Sequence, residues 1–141
     1  MKKKLLIVAH HMTIGGVQKS LISALKALDY DKYDVTLYLR KNRTDLLPLV
    51  DKRVNVIINT DPNRYYRKPY AILLQLKTLV AKIFGKKHKA DKLNGTLEEK
   101  IREDAMQYEM KTYFSNAHYD IAVAYVQGYV AFFVDKCISL L

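Results

Sequence analysis

The 141-residue sequence has one cysteine, no tryptophan, three prolines and five glycines. The lone Cys137 excludes an internal disulfide framework and fits a reducing compartment, so the expected localisation is cytoplasmic. Long apolar runs are absent too: a bilayer-spanning helix takes about 20 apolar residues, and no stretch approaches that. The start, Met1–Lys4 and then Leu5–Ala9, offers a short apolar core where a signal peptide has about 7–15 residues. Acidic residues are scarce, with 14 Asp and Glu against 24 Lys and Arg, giving a net charge of +10. A balance this basic points to a polyanionic partner, either nucleic acid or an anionic membrane surface.

What is present is the composition of a folded domain, 50% hydrophobic and 27% charged. A chain of this size buries roughly 68–70% of its unfolded surface, enough for one core, so a single domain over 1–141 is expected. The charge is uneven. From Pro62 to Lys92 stand Arg64, Arg67, Lys68, Lys77, Lys82, Lys86, Lys87, Lys89 and Lys92, opposed only by Asp91. The remainder of the chain is nearly neutral.

Apolar periodicity alternates between strand and helix. Leu5–Ala9 (LLIVA) reads as a strand buried on both faces. Val17, Leu21, Leu25 and Leu28 recur at helical spacing. Tyr33–Leu39 and Val54–Ile58 are further strands, with a short helix or turn at Leu46–Val50 between them. Tyr70–Phe84 then gathers Ile72, Leu73, Leu76, Leu79, Val80, Ile83 and Phe84 on one helical face. Lys86–Lys89 reads as a solvated connection. Thr96 with Glu99 has the form of a capping box opening a helix from about Leu97 to Phe114. Tyr119–Tyr125 is a fourth strand, and Gly128 opens a last helix, Tyr129–Ile138.

Strands separated by helices predict a Rossmann-like three-layer α/β domain with a parallel sheet of order 3-2-1-4. A helical insert over 62–118 falls between the third and fourth strands. That order puts the loops after the first and fourth strands, His10–Gly16 and Val126–Gly128, side by side at the switch point where open α/β sheets bind ligands.

The segment Ala9–Ser20, AHHMTIGGVQKS, sets two glycines between a buried strand and an amphipathic helix. Glycine lets a ligand approach the main chain, and a helix start suits a phosphate. The same pair also serves simply to turn the chain. The dinucleotide fingerprint is absent, because Val17 and Gln18 follow the glycines, and a P-loop would need glycines where Thr13 and Gln18 stand.

Ile14-Gly15-Gly16-Val17-Gln18-Lys19-Ser20, followed by Leu21, Leu25 and Leu28, resembles the first loop and helix of GT-B fold glycosyltransferases, specifically the large GT4 family. The likeness continues through Lys32-Tyr33-Asp34-Val35, Leu46-Leu47-Pro48 and Tyr119–Tyr125, leaving out the basic region around 62–92. Such enzymes have two Rossmann-like domains with the active site between them. The amino-terminal one binds the acceptor, and the carboxy-terminal one holds most of the nucleotide-sugar site. The resemblance implies that Gly15 and Gly16 approach the donor's phosphates. It implies that His10, His11, Thr13, Gln127 and Gly128 line the cleft for a glycan or lipid-linked acceptor. Family members commonly carry an acid where Gln18 stands. No catalytic residue is readable, and no cofactor is implied beyond the nucleotide sugar as co-substrate. The family's donor-binding domain is not in this sequence, so a fragment of a longer enzyme, inactive alone, is expected.

Adjacent histidines on a strand end diverge, and zinc needs about three or four ligands, so no metal site is expected at His10 and His11. Cys137 reads as a small buried hydrophobe. The basic insert admits two readings. It lies on an anionic membrane, with Arg64, Arg67, Lys68, Lys82, Lys86, Lys87 and Lys89 at head groups, or it is a packed helix with a solvated basic flank. Tyr65 and Tyr66 offer stacking surfaces, but no RNA-binding motif accompanies them, which disfavours nucleic acid. The competing function is a non-enzymatic basic α/β module for an anionic membrane surface or other polyanion.

Overall fold

The computed structural model describes residues 1–61, 64, 68–126 and 128–138, and of Tyr129, Lys136, Cys137 and Ile138 the backbone alone. The chain falls into two compact units, one of residues 1–61 and 113–141, the other of residues 62–112.

The first unit is an α/β fold on a four-stranded parallel sheet. Its strands are β1 (Lys3–Ala9), β2 (Tyr33–Leu39), β3 (Asn55–Ile58) and β4 (Ile121–Ala124). They lie in the order β3-β2-β1-β4, the expected Rossmann-like arrangement. Leu5 pairs with Val35 on one side and Ile121 on the other, and Val8 with Tyr38 and Ala124. Because side chains alternate along a strand, this register sorts the core into two layers. Leu5, Ile7, Ala9, Val35, Leu37 and Leu39 share a core with Leu21, Ile22 and Leu25 of helix α1 (Gly16–Ala27). On the opposite face Tyr38 meets Phe114 edge-on at 5.0 Å and stacks on Phe133 at 5.8 Å. Phe133 belongs to the last helix, Tyr129–Ile138, which packs on β4 and β1. Leu5–Ala9 is thus buried on both sides, as its unbroken apolar run requires.

Edges differ slightly from the sequence expectation. The first strand begins at Lys3, whose N–H reaches Lys32 O at 2.9 Å. Leu47–Leu49 forms a single 3₁₀ turn. Asp120 precedes β4 and accepts the Lys4 backbone N–H at 2.7 Å, a structural role at a strand end.

The second unit contains helix α2 (Pro69–Ile83) and most of helix α3 (Lys87–Tyr113). Pro69 sits in the first turn of α2, where its missing N–H costs nothing. Gly85, at φ +69, ends the helix. Lys86 N–H reaches back to Ala81 O at 2.8 Å and Gly85 N–H to Lys82 O at 3.0 Å, the paired bonds of a Schellman motif. This tight stop corrects two expectations. Lys87–Lys89 are the first turn of α3 rather than a loop. Thr96 caps nothing: it lies inside α3, and its hydroxyl donates to Lys92 O at 3.0 Å. A helical carbonyl satisfies the hydroxyl, so the helix runs through the capping-box pattern. Ala71, Leu97, Ile101 and Ala105 form the small core joining the helices. Beside it Asp104 accepts bonds from Tyr70 Oη at 2.7 Å and Lys68 Nζ at 3.0 Å.

The apolar face expected on α2 is where the unit departs most from ordinary packing. Its buried residues are Ala71, Thr78 and Ala81. Ile72, Leu73, Leu76, Leu79, Val80, Ile83 and Phe84 are 48–73% exposed. Among the described residues, no helix is long and apolar enough to cross a membrane.

Candidate functional site

Parallel strands bring all their carboxyl ends to one edge of the sheet, and the loop after β1 is built there on the loop after β2. Arg40 N–H donates to Ala9 O at 3.1 Å and Lys41 N–H to His10 O at 2.9 Å. Met12, fully buried, donates its N–H to Arg43 O and accepts from Leu46 N–H, each at 2.8 Å. Met12 is the plug that fixes the loop, and His10, His11 and Thr13 take their positions from it.

His11 Nδ1 lies 2.9 Å from Thr13 Oγ1, 3.4 Å from Gln18 Nε2 and 3.5 Å from Thr13 N. The Thr13 backbone N–H and the Gln18 amide nitrogen can only donate, so Nδ1 accepts from both. The His10 ring stands 5.6 Å from that of His11, tilted by 60°. Burial, and then the positive charges of Lys41 and Arg40 with His11 beside them, pull the His10 pKa down to about 4. His10 is therefore neutral at neutral pH. Among the described residues, no cluster of three or more His, Cys, Asp or Glu is arranged to hold a metal ion.

Gly15 stands before helix α1 at φ −173, an extended backbone open to any residue. The strand-to-helix turn therefore does not need glycine for its conformation. Space distinguishes the pair. A Cβ on Gly15 would come 2.6 Å from Gln18 Oε1, whereas one on Gly16 would meet nothing within 4 Å. Gln18 thus folds over Gly15 and braces His11, while Gly16 opens to free space at the start of the helix. The first turn of α1 holds no acidic residue and no side-chain cap, so its orphan N–H groups are open to a ligand.

Across the switch point, Tyr125 N–H donates to Val8 O at 3.0 Å, and Tyr125 Oη meets Ser20 Oγ at 2.8 Å. Gly128 has φ +87, a conformation that favours glycine, and accepts Phe132 N–H at 3.2 Å to open the last helix.

Of the residues singled out in the sequence, His10, His11, Thr13 and Gly15 stand in the loop after β1, Gly16 opens α1, and Gly128 stands in the loop after β4. Gln127 and Arg67 lie outside the described residues, as do Tyr65 and Tyr66 and the side chain of Cys137. The basic set divides. Lys68 bonds Asp104, and the Arg64 guanidinium lies 4.5 Å above the Tyr108 ring. Lys82, Lys86, Lys87 and Lys89 are exposed around the α2–α3 turn.

Sequence reasoning missed Arg40, Lys41 and Arg43, which make the loop environment cationic. The signal existed: in the order 3-2-1-4 the loop after β2 must neighbour the loop after β1. It also passed over Gln18 as an anchor and Tyr125 as a tie. No protein-family model, no curated protein and no solved structure matches this chain.

Proposed function

We propose that this chain is the acceptor-side domain of a glycosyltransferase, which moves a sugar from a nucleotide-sugar donor to a glycan or lipid-linked acceptor. The reading joins the GT4-like pattern of Ile14–Ser20 to the 3-2-1-4 sheet that presents it. One observation carries it: a Cβ on Gly16 would meet only open space, beside the uncapped start of α1. A diphosphate can come against that backbone, where unpaired N–H groups and the helix dipole favour negative charge. A separate donor-binding domain supplies the rest of the nucleotide-sugar site. Neutral His10, with His11 and Thr13, offers the acceptor hydrogen-bonding groups beside the cationic Arg40 and Lys41.

Sugar transfer by a polypeptide joining this chain to a donor-binding domain tests the reading. Gly16→Val folds, because open space takes its side chain, and lowers turnover by about a hundredfold, as loss of one preorganised backbone contact does. The isolated chain transfers nothing, since stabilising the transition state requires both walls of the cleft. Transfer by the isolated chain, or unchanged kinetics in folded Gly16→Val, overturns the reading. The competing reading, a non-enzymatic basic module for a polyanion, predicts no transfer by any such fusion.

A further inference from the structure

The glycosyl-transfer reading assigns no role to the exposed stripe of α2. At 100° per residue its seven large apolar side chains occupy an arc of roughly 140° on one side of the helix. The buried Ala71, Thr78 and Ala81 take the other side. So contiguous an apolar face marks a surface that meets something else. Lys77 borders the arc, and α2 has no acidic residue.

At the Gly85 turn the stripe runs into a groove of about 540 Å³, lined by Leu76, Val80, Phe84 and Leu93 with Lys77, Lys86 and Lys89. The three lysines are exposed, and none forms an ion pair among the described residues. Asp91 is the one acid near this end of α3; the others, Glu98, Glu99, Glu103, Asp104 and Glu109, lie farther along. From Lys89 to Glu98 the helix rises about 13 Å, so the turn end is cationic and the far end is not.

This combination selects among occupants. A protein partner would bury the arc but leave these bordering lysines at a solvated rim, where charges add little affinity. Nucleic acid would pair with the lysines and leave the arc in water. An anionic bilayer satisfies both, with apolar side chains at the acyl boundary and lysine stems reaching up to phosphates. We infer that the turn end of the α2–α3 hairpin is a peripheral anchor for an anionic phospholipid bilayer. Helix α2 lies in the plane of the interface, and Lys77, Lys86 and Lys89 meet lipid phosphates. The anchor is independent of the glycosyl-transfer reading.

Sedimentation of the whole chain with vesicles tests it. Phosphatidylcholine vesicles doped with phosphatidylglycerol bind the chain, and undoped ones bind it far less. Joint replacement Lys77→Gln, Lys86→Gln and Lys89→Gln lowers the partition coefficient about a hundredfold at low salt, given about 1 kcal/mol per lysine at the surface. In roughly 1 M salt, where the Debye length is about 3 Å, part of the binding survives in the wild type. Joint replacement Leu76→Ser, Leu79→Ser and Ile83→Ser removes that part while circular dichroism stays unchanged, because the three are exposed. Absence of binding to anionic vesicles at low salt overturns the inference. So does a folded serine variant that binds like the wild type. A wild-type dimer that the serine variant dissolves, with no vesicle binding, overturns it as well and assigns the face to a second copy.

Discussion

The hydroxyls of Ser20 and Tyr125 meet at 2.8 Å across 105 residues of sequence. One stands in the first turns of α1, the other just past the end of β4, so the bond ties the two switch-point loops together. Tyr125→Phe removes the bond and keeps the ring. The expected cost is about 0.5–1 kcal/mol of stability, small because the pair is exposed. The informative readout is amide exchange, which quickens at Gly15–Val17. Unchanged exchange there would show that the loops are held independently.

His10 titrates far below the ordinary imidazole value. Its proton NMR shifts should change around pH 4, against 6.5 in the unfolded chain. The folded value is depressed, so between these limits the unfolded chain binds more protons. Stability attributable to His10 is therefore present above pH 6.5 and is lost as pH falls toward 4. Replacing Lys41 by Met raises the His10 pKa, because its charge is the largest cause after burial. A midpoint near 6.5 in the folded protein would contradict the burial of this ring.

Two leucines give opposite outcomes when truncated. Leu25 is wholly buried in the α1 face of the sheet core, and Leu25→Ala should cost about 2–5 kcal/mol in denaturant unfolding. Leu76 is 55% exposed, and Leu76→Ala should change stability by no more than about 0.5 kcal/mol. A large loss at Leu76 would mean that the α2 face is covered in solution.

Asp104 holds the hairpin through Tyr70 and Lys68. The hydrogen bond from Tyr70 is the main reason its carboxyl lies below the usual range, and burial beside Asp104 pushes the Tyr70 hydroxyl up to about 12. Asp104→Ala should destabilise the hairpin by about 1–2 kcal/mol, since it leaves the partly buried phenol without its acceptor. Thermal melts followed at helical wavelengths, together with ultraviolet titration of Tyr70, read both effects.

Strands and their order were legible because burial on both faces writes an unbroken apolar run, and because right-handed crossovers leave few arrangements. Helix α2 was legible as a helix, but not for the face it buries. Small residues pack against α3, and nothing in an apolar periodicity says whether Leu76 or Ala81 turns inward. Thr96 misled for a local reason: a threonine followed by a glutamate caps a helix only if the chain starts there, and the Gly85 stop set the start ten residues earlier. At the switch point, Gly15 and Gly16 stood out by type. Their difference, one covered by Gln18 and one open, is set by a side-chain conformation that no spacing records.

The centre strand β1 joins neighbours of very different distance along the chain. It reaches β2 in the next strand–helix–strand unit, whereas Lys4 and Asp120, at its junction with β4, are separated by 116 residues. Closing the longer loop costs about 1 kcal/mol more, at about 0.6 kcal/mol per doubling. The β1–β2–β3 unit is therefore expected to form first and β4 to join last. Until it does, one edge of β1 is an open template for another chain. Early hairpin formation by α2 and α3 shortens the loop left to close. Refolding yield at high protein concentration is then expected to depend on how fast α2 and α3 form.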